Sequence, residues 1–305
     1  MHITFRQLQV FESVARNLSY TKAAKELHLS QPAVSMQIKQ LEDQVEAPLF
    51  EQLGKTNFLT EIGRELYHYT RRILGLLDEA DEVIHALKGL QRGTLDVAVA
   101  TTANDFATRL LAAFARDHEE ISFRLDVTNR ESLIAHLDNN EKDLVIMGRP
   151  PEGHDLVAES FMENPLVVIA PPNHPLVKQK NIPSARLVQE TFVVREQASG
   201  TRQAIERYFD QHEVSMSTSM EMTSNEAIKQ AVEAGLGLGI VSIHTLRLEM
   251  ETRRLAILDV EDFPILRHWY IVHRSEKRLS PVAQGFKDFV LSRGKEFAGN
   301  LLNFK

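Results

Sequence analysis

The sequence predicts a chain of three parts: a small, mainly α-helical N-terminal domain, a long linker helix and a two-lobed α/β domain. Helical segments with short breaks fill the first fifty residues, an apolar 3.5-residue repeat follows, and short strands alternate with helices after residue 93. The 305 residues are enough for several domains. We expect a first domain at 1–60, a linker at 61–90, one lobe from 91–162 with 268–305, and a second lobe at 163–267.

Composition excludes several classes of protein. The chain has no cysteine, which rules out disulfides, thiolate metal sites and a cysteine nucleophile, and fits a reducing cytosol. No apolar run approaches the roughly 20 residues of a membrane span, and the N-terminus has no signal-peptide core. We therefore expect a cytoplasmic protein with no membrane partner. Net charge is −7, but residues 1–60 hold six Lys/Arg and six Asp/Glu, so a DNA partner is permitted there.

A helix-turn-helix is predicted within the first domain. Small and apolar residues follow one another at helical spacing on both sides of a short break, and Ser30 can cap the second of the two helices, with Pro32 in its first turn. The residues that carry the pattern are Ala24, Leu27, Ser30, Val34, Ile38 and Leu41. Leu49-Phe50 and Phe58-Leu59-Thr60 then predict a two-stranded wing. The alternative is a plain three-helix bundle.

The helix that begins near Ser30 leaves short polar side chains off its apolar face, as a helix in the major groove requires. We expect Gln31, Ser35 and Met36 to read base edges, and Thr21 with nearby lysines to hold phosphates. The expected DNA-contacting residues are Arg6, Thr21, Lys22, Gln31, Pro32, Ser35, Met36, Lys39 and Lys55.

The linker carries a strict heptad pattern. Its apolar positions are 62, 66, 69, 73, 76, 80, 83, 87 and 90, which alternate steps of four and three. A helix of this length, about 40 Å at 1.5 Å per residue, suits a partner chain better than one small domain. We expect a homodimer, the alternative being a long helix folded on its own domain. Gly89 and Gly93 indicate a hinge.

Strands and helices alternate through the rest of the chain. Repeated β-α-β order predicts parallel sheets with helices on both faces. We expect the chain to cross between the two lobes near 162–165 and to return near 265–268. A C-terminal helix at about Pro281–Arg293 is expected to pack on the first lobe.

A cleft between two such lobes is a ligand site, because strand ends and helix N-termini converge there. Four junctions carry hydroxyl or amide residues whose backbone N–H groups suit an anion, and arginines lie beside them. The alternative is that these residues only cap helices. The expected effector-binding residues are Thr101, Thr102, Asn104, Thr128, Asn129, Arg149, Arg195, Ser199, Thr201, Arg202 and Asn225.

Motifs for catalysis, metals and cofactors are missing from the sequence. The twelve histidines show no metal-ligand spacing, and no Gly-x-Ser-x-Gly sequence occurs. Gly235-Leu236-Gly237-Leu238-Gly239 follows a predicted helix and enters a strand, the reverse of the dinucleotide-binding order. We expect neither an enzyme nor a bound cofactor.

With these elements assigned, the chain resembles the LysR-type transcriptional regulators along essentially its whole length. The motifs are Arg6-Gln7-Leu8-x-x-Phe11, Ala23-Ala24-x-x-Leu27-x-x-Ser30-Gln31-Pro32-Ala33-Val34-Ser35, and Leu49-Phe50 with Leu59-Thr60-x-x-Gly63. Within that family, the second half resembles regulators of CO2-fixation (RuBisCO, Calvin-cycle) operons. Those runs are Val194-Arg195-Glu196-x-x-Ser199-Gly200-Thr201-Arg202, Asn225 to Gly237, Arg267-His268-Trp269-Tyr270 and Lys277-Arg278-Leu279-Ser280-Pro281.

The resemblance implies a winged helix-turn-helix, a linker helix and an effector domain like the periplasmic binding proteins. It implies a dimer that assembles to a homotetramer on operator DNA, with RNA polymerase as a further partner. The implied effectors are central-carbon anions such as sugar bisphosphates, phosphoenolpyruvate or phosphoglycolate, and in some members NADPH. Gln52 stands where wings of the family often carry arginine, which shifts the expected phosphate contacts to Arg6, Lys22, Lys25 and Lys39.

Two other hypotheses are kept. One is a two-lobed small-molecule-binding protein or enzyme with an unrelated helical head, which would be a monomer. The other keeps DNA binding and makes the cleft an unliganded interaction surface.

Overall fold

The computed structural model describes residues 3–53, 56–87, 93–212 and 216–298. They form two compact units, of which the first holds the elements up to Leu87 and the second holds two larger sheets. The elements of the first unit are α1 (Phe5–Asn17), α2 (Tyr20–Glu26), α3 (Gln31–Val45), β1 (Phe50–Leu53), β2 (Thr56–Leu59) and α4 (Glu61–Leu87).

Side-chain caps start each of the first three helices. Thr4 forms a capping box with Gln7, the hydroxyl of Ser19 accepts from the backbone N–H of Lys22, and that of Ser30 accepts from Ala33 at 3.3 Å. The apolar faces then pack into one core, whose fully buried members include Val10, Phe11, Val14, Ala23, Val34, Leu41 and Leu49. β1 and β2 pair antiparallel, with Phe50 opposite Leu59. The predicted winged helix-turn-helix is therefore confirmed.

Helix α4 begins directly against this core. The hydroxyl of Thr60 accepts from the N–H of Gly63 at 3.0 Å, and a Cβ on Gly63 would lie 2.1 Å from the carbonyl oxygen of Leu49. Only glycine permits so close an approach of helix and backbone.

The apolar repeat of α4 stays exposed within the single chain. Four of its members are 43–57% exposed: Ile62, Tyr69, Ile73 and Leu76. Leu66 instead packs on the core of the winged helix-turn-helix, which we call the head, and Ala80 is exposed. The side chains of Val83 and Leu87, together with Gly89 and Leu90, lie outside the described residues. Apart from Leu66, the described apolar residues of the repeat therefore remain exposed in the single chain.

The second unit contains two five-stranded sheets. In chain order its elements are β3 (Gly93–Ala100), α5 (Asn104–Ala115), β4 (Ile121–Thr128), α6 (Arg130–Asp138), β5 (Leu144–Met147), β6 (Leu156–Glu163), β7 (Leu166–Ala170), β8 (Thr191–Arg195), α7 (Gly200–Gln211), β9 (Ser217–Met222), α8 (Asn225–Glu233), β10 (Leu238–Ser242), α9 (Arg247–Glu251), β11 (Ala256–Ile257), β12 (His268–Arg274) and α10 (Pro281–Arg293). The strand orders are β4-β3-β5-β12-β6 in lobe I and β11-β7-β10-β8-β9 in lobe II.

Both sheets are mixed, which corrects the prediction of purely parallel sheets. β3 is parallel to β4 and β5, and β8 is parallel to β9 and β10. β12 runs antiparallel to β5 and β6, and β7 runs antiparallel to β10 and β11. The strands that run against their neighbours, β7 in lobe II and β12 in lobe I, each directly follow a lobe crossing. A strand that reaches its sheet from the other lobe needs no helical crossover, so its direction is not constrained to be parallel.

The lobe crossings are bound to each other by backbone hydrogen bonds. The N–H of Asn164 donates to the carbonyl of Arg267 at 2.7 Å, and Leu166 and Ile265 exchange bonds of 2.9 and 3.0 Å. Helix α10 packs on lobe I as predicted, because Phe286 and Val290 share a buried cluster with Leu95 and Phe106. Among the described residues no helix is both long and apolar enough to cross a membrane.

Candidate functional site

Helix α3 presents a polar face away from the head core. Gln31 and Pro32 are exposed, Met36 is 54% exposed, and Ser35 is half-buried. The amide nitrogen of Gln31 donates to the hydroxyl of Ser35 at 3.0 Å, so the two side chains lie together on one turn. Val34 and Ile38 are buried on the opposite face of the helix. Such a face can present amide and hydroxyl groups to base edges.

The first three helices also carry exposed cations. Arg6, Lys22, Lys25 and Lys39 are exposed, and within the described part of the chain none of them makes an ion pair. Thr21 is exposed in the first turn of α2. Lys55 lies outside the described residues. Cations left without carboxylates are free to neutralise phosphates.

A cleft opens between the lobes in the second unit. It lies at the carboxyl ends of β3, β4, β5 and β8 and at the two lobe crossings. Its lining comprises Ala100, Thr101, Thr102, Thr128, Asn129, Arg130, Leu133, Met147, Gly148, Asn164, Arg195, Ser199, Gly200, Thr201, Arg267 and Trp269. This set contains three arginines and no carboxylate, so an anion suits it.

Two helix N-termini meet at the cleft. The side chain of Asn129 accepts from the N–H of Ser132 at 2.9 Å at the start of α6, and the hydroxyl of Ser199 accepts from Thr201 at 3.2 Å at the start of α7. Each terminus carries unpaired backbone N–H groups and a partial positive charge. One helix belongs to each lobe, so an anion in the cleft can be stabilised from both sides.

Arg195 bridges the lobes and is 3% exposed. Its guanidinium is paired with Glu196 at 2.7 Å, donates to the side-chain oxygen of Asn225 at 3.2 Å, and reaches the hydroxyl of Thr101 across the cleft at 3.4 Å. Because its charge is already compensated by Glu196, Arg195 is a hydrogen-bonding bridge between lobes more than an open cationic site.

Arg267 is a second kind of cation in the cleft, one without a carboxylate partner among the described residues, as is Arg130. It donates to the carbonyl of Gly200 at 3.0 Å and makes no ion pair with any described carboxylate. A Cβ on Gly148 would lie 2.7 Å from its terminal nitrogen, so the glycine gives the guanidinium room. Burial, and then the charges of Arg207 and Arg130, lower the pKa of Arg267 to about 10. A bound anion would relieve this electrostatic cost.

Most of the predicted effector residues meet at this cleft. Thr101, Thr102, Thr128, Asn129, Arg195, Ser199 and Thr201 all belong to its lining. Asn104 instead accepts from Thr108, Arg149 pairs with Glu152 beside an adjoining cavity, and Arg202 pairs with Glu206. Asn225 lies behind the lining, as the acceptor for Arg195. These four residues do not line the cleft.

Sequence reasoning missed four polar members of the lining: Arg130, Asn164, Arg267 and Trp269. Arg130 belongs to the predicted junction Thr128-Asn129-Arg130 but was not among the expected effector-binding residues. The other three lie on or beside the crossing segments, and the rule that crossing segments form the floor of a two-lobed cleft would have found them. The indole N–H of Trp269 is buried and has no hydrogen-bond partner among the described residues.

No group of three or more metal-ligating side chains occurs within the described ranges. Comparison with known families then assigns both units. Residues 5–64 match the model of the bacterial regulatory helix-turn-helix protein, lysR family, and residues 88–295 match the LysR substrate binding domain.

The chain belongs to the LysR family of transcriptional regulators. The family is one of regulators and not of enzymes, in agreement with the expectation from the motifs. Its helix-turn-helix model covers α1 to the start of α4 and so includes α3 with its exposed polar face. Its substrate-binding model covers both lobes and therefore the cleft.

Among LysR proteins, this chain is similar to regulators of CO2-fixation genes. It is 59% identical over 292 residues to the RuBisCO operon transcriptional regulator of Allochromatium vinosum, covering 96% of this chain and 97% of that one. The solved regulatory domain of Synechocystis CcmR in complex with 2-PG is 44% identical, with a TM-score of 0.64, and covers 66% of this chain and 97% of that chain. Full-length CbnR complexed with its target DNA shares the fold at 21% identity, with a TM-score of 0.68 over 94% of this chain and 99% of that chain.

Proposed function

We propose that this LysR-family protein controls transcription of CO2-fixation genes in response to a small phosphorylated anion that binds in the cleft. The observation that carries the proposal is the cleft lining, in which two helix N-termini converge with Arg130 and Arg267, neither of which has an ion pair among the described residues. Such a site favours an anion with several oxygen acceptors. The similarity to the CcmR regulatory domain solved with 2-PG supports a small-molecule effector.

On the DNA side, Gln31, Ser35 and Met36 of α3 would read base edges, and Lys22 and Lys39 would hold phosphates. A single head reads a short site, so a palindromic operator needs two heads at a fixed spacing. The exposed apolar repeat of α4 supplies the surface for a second copy, and further pairing would give the homotetramer. The resulting assembly would act on RNA polymerase at the promoter.

The regulatory step follows from the bridge between lobes. An anion in the cleft would contact the N-termini of α6 in lobe I and α7 in lobe II, and would so favour one closure angle. A ligand shifts such an equilibrium only by its difference in affinity for the two states, which is about 1–3 kcal/mol in typical allosteric proteins. Changed closure would alter the packing of dimers and with it the spacing of the heads.

The proposal is tested by ligand binding and operator binding on the full chain. We expect 2-phosphoglycolate or phosphoenolpyruvate to raise the melting temperature, since a ligand at 100 times its Kd adds about 2.7 kcal/mol. The same ligand should change the footprint on promoter DNA. Thr201→Val, a change within the cleft lining, should weaken both effects, whereas Thr252→Val on the surface of lobe II should weaken neither. A flat thermal response to both anions with an unchanged footprint would refute the effector role.

Dimerisation through α4 has its own test. Leu76→Asp places a charge in the exposed repeat and should shift the mass in light scattering to that of a monomer. Leu248→Asp changes an equally exposed leucine of α9 and serves as the control. A parent protein that is monomeric at micromolar concentration would refute dimerisation through α4.

A further inference from the structure

The carboxylate of Glu42 binds the backbone where the wing, strands β1 and β2, begins. One of its oxygens accepts from the N–H of Leu49 at 2.8 Å and from the N–H of Phe50, the first residue of β1, at 3.4 Å. Glu42 lies near the end of α3, and Gln31 and Ser35, the proposed readers of base edges, lie at its beginning. One helix therefore carries both the proposed reading face and the hydrogen-bond acceptor that holds the wing.

The surroundings of Glu42 show no other use for its charge. It is half-buried, and within the described residues it makes no ion pair with a Lys, Arg or His. The ring of Tyr20 packs edge-on against Phe50, with centroids 5.8 Å apart, and burial followed by the charge of Glu42 raises the pKa of Tyr20 to about 12. A half-buried carboxylate costs free energy unless hydrogen bonds satisfy it, and here the backbone of the wing supplies them.

The wing has other attachments, but they lead to other helices. The N–H of Thr60, just before α4, donates to the carbonyl of Leu49 at 3.0 Å. The side-chain amide of Asn57 on β2 donates to the carbonyl of Leu18, between α1 and α2, at 3.3 Å. Among the described residues of the wing and the turn before it, the hydrogen bonds that reach α3 are those that Glu42 accepts. Apolar packing of Leu49 fixes where the wing begins, whereas these directional bonds fix its angle to α3.

We propose that Glu42 is a positioning residue for DNA binding, which holds the wing at a fixed angle to α3 so that the wing meets the phosphate backbone while α3 lies in the major groove. Phosphate contacts fix the register of a protein on the duplex. Two contacts made by one rigid body reinforce each other because the second is intramolecular, and a looser link between them loses part of that gain. The inference rests on the proposed reading of DNA by α3 and adds the residue that aligns the wing with it.

The test uses the full chain and a duplex that the parent protein selects from a randomised DNA library. Gln52 is exposed on β1, so Gln52→Arg adds a cation to the wing. In the parent, we expect Gln52→Arg to strengthen binding in gel shifts about threefold and to steepen the slope of log affinity against log salt by about one, as one added phosphate contact does. Glu42→Ala should weaken binding about tenfold, and in this background Gln52→Arg should change the slope by less than about 0.3.

Three further variants separate positioning from folding. Asp43→Ala removes an equal charge from the next position of α3, where the exposed side chain has no ion pair among the described residues, and it should keep the full slope change. Glu42→Gln keeps an acceptor and should keep at least half of the slope change, whereas Glu42→Asp keeps the charge, shortens the reach and should lose most of it. The comparison of these two conservative variants decides the question even if Glu42→Ala does not fold.

A variant that is only less folded binds more weakly but still gains the full slope change from Gln52→Arg, because the salt dependence reports the phosphate contacts of the bound molecule. That result for Glu42→Ala and Glu42→Asp would overturn the inference. An unchanged slope for Gln52→Arg in the parent would also overturn it, while base reading by α3 would remain. If the parent protein selects no duplex, the proposed DNA contacts of α3 fail, and the inference fails with them.

Discussion

The exposed surface of the head and the cleft between the lobes both present cations without carboxylate partners, but in opposite settings. Lys22 and Lys39 of the head are exposed to solvent. Arg267 is partly buried beside Arg130, and its pKa falls to about 10. Exposed cations cost little in folding free energy and respond strongly to salt. Crowded, half-buried cations are screened less and reduce stability, so the arginines of the cleft cost folding free energy.

Gly63→Ala is expected to have the largest effect, and it tests whether operator binding by the head is independent of anion binding in the cleft. The added Cβ would meet the backbone carbonyl of Leu49 at 2.1 Å, which neither partner can avoid without moving α4 from the head. We expect operator affinity in gel shifts to fall more than 100-fold. Anion affinity of the cleft, measured by calorimetry, should stay within twofold.

Gly285→Ala on α10 is the control for this change, because its Cβ would lie 3.8 Å from Phe114 of α5, which is an ordinary contact. It should leave operator and anion binding intact. Loss of anion binding in Gly63→Ala would contradict the independence of the two regions.

Arg267→Met sharpens the contrast at the cleft. We expect anion affinity to fall about 100-fold, since a charge-assisted pair is removed. The ligand-free variant should melt higher than the parent, by roughly 2–4 °C if about 1 kcal/mol is recovered. The gain has a predictable pH dependence. A lowered cation pKa means that the charged form is destabilised by folding, so the gain is full below about pH 10 and fades as pH rises through that value.

Arg267→Lys completes that experiment, because it keeps the charge and removes the planar fork. Anion affinity between those of the parent and Arg267→Met is expected. A ligand-free Arg267→Met variant that melts lower than the parent would show that the hydrogen bond to Gly200 outweighs the repulsion.

Ser35→Ala examines sequence reading by α3. Ser35 is half-buried and accepts from Gln31, so its removal also frees the amide that we expect to meet a base. Operator affinity should fall about tenfold, consistent with 1–3 kcal/mol for one base contact, and the preference at one base pair should relax. A panel of single-base operator variants measures this. Ser292→Ala on α10 is the control, and an unchanged preference would remove Ser35 as a reader.

Lys39→Ala should have the smallest effect. It lies exposed on α3 with no ion pair among the described residues, so we expect about threefold weaker binding across all sequences at physiological salt. The slope of log affinity against log salt should decrease by about one, because the variant neutralises one phosphate fewer. Lys180→Ala, on the surface of lobe II, provides the comparison. A change in base preference instead of salt dependence would place Lys39 among the readers.

Much of the fold was predictable because its signals are local. The caps at Ser19 and Ser30 and the apolar spacing of α3 lie within a few residues of the groups they bind. The cleft was predicted in part for the same reason, since Asn129 and Ser199 cap the helices that they precede. The antiparallel course of β7 and β12 was not, because strand direction depends on which lobe the chain has just left.

The amino-acid sequence by itself determined the helical head, the long apolar-faced helix and the strand-end hydroxyls, because each depends on neighbours in the chain. The tertiary structure alone decided which cations are left uncompensated. Arg195 meets Thr101 across 94 residues, whereas Arg267 reaches Gly200 and lies close to the like charges of Arg207 and Arg130. Such pairings follow from how two lobes fold back on shared crossing segments, and no spacing along the chain encodes the distance between charges that results.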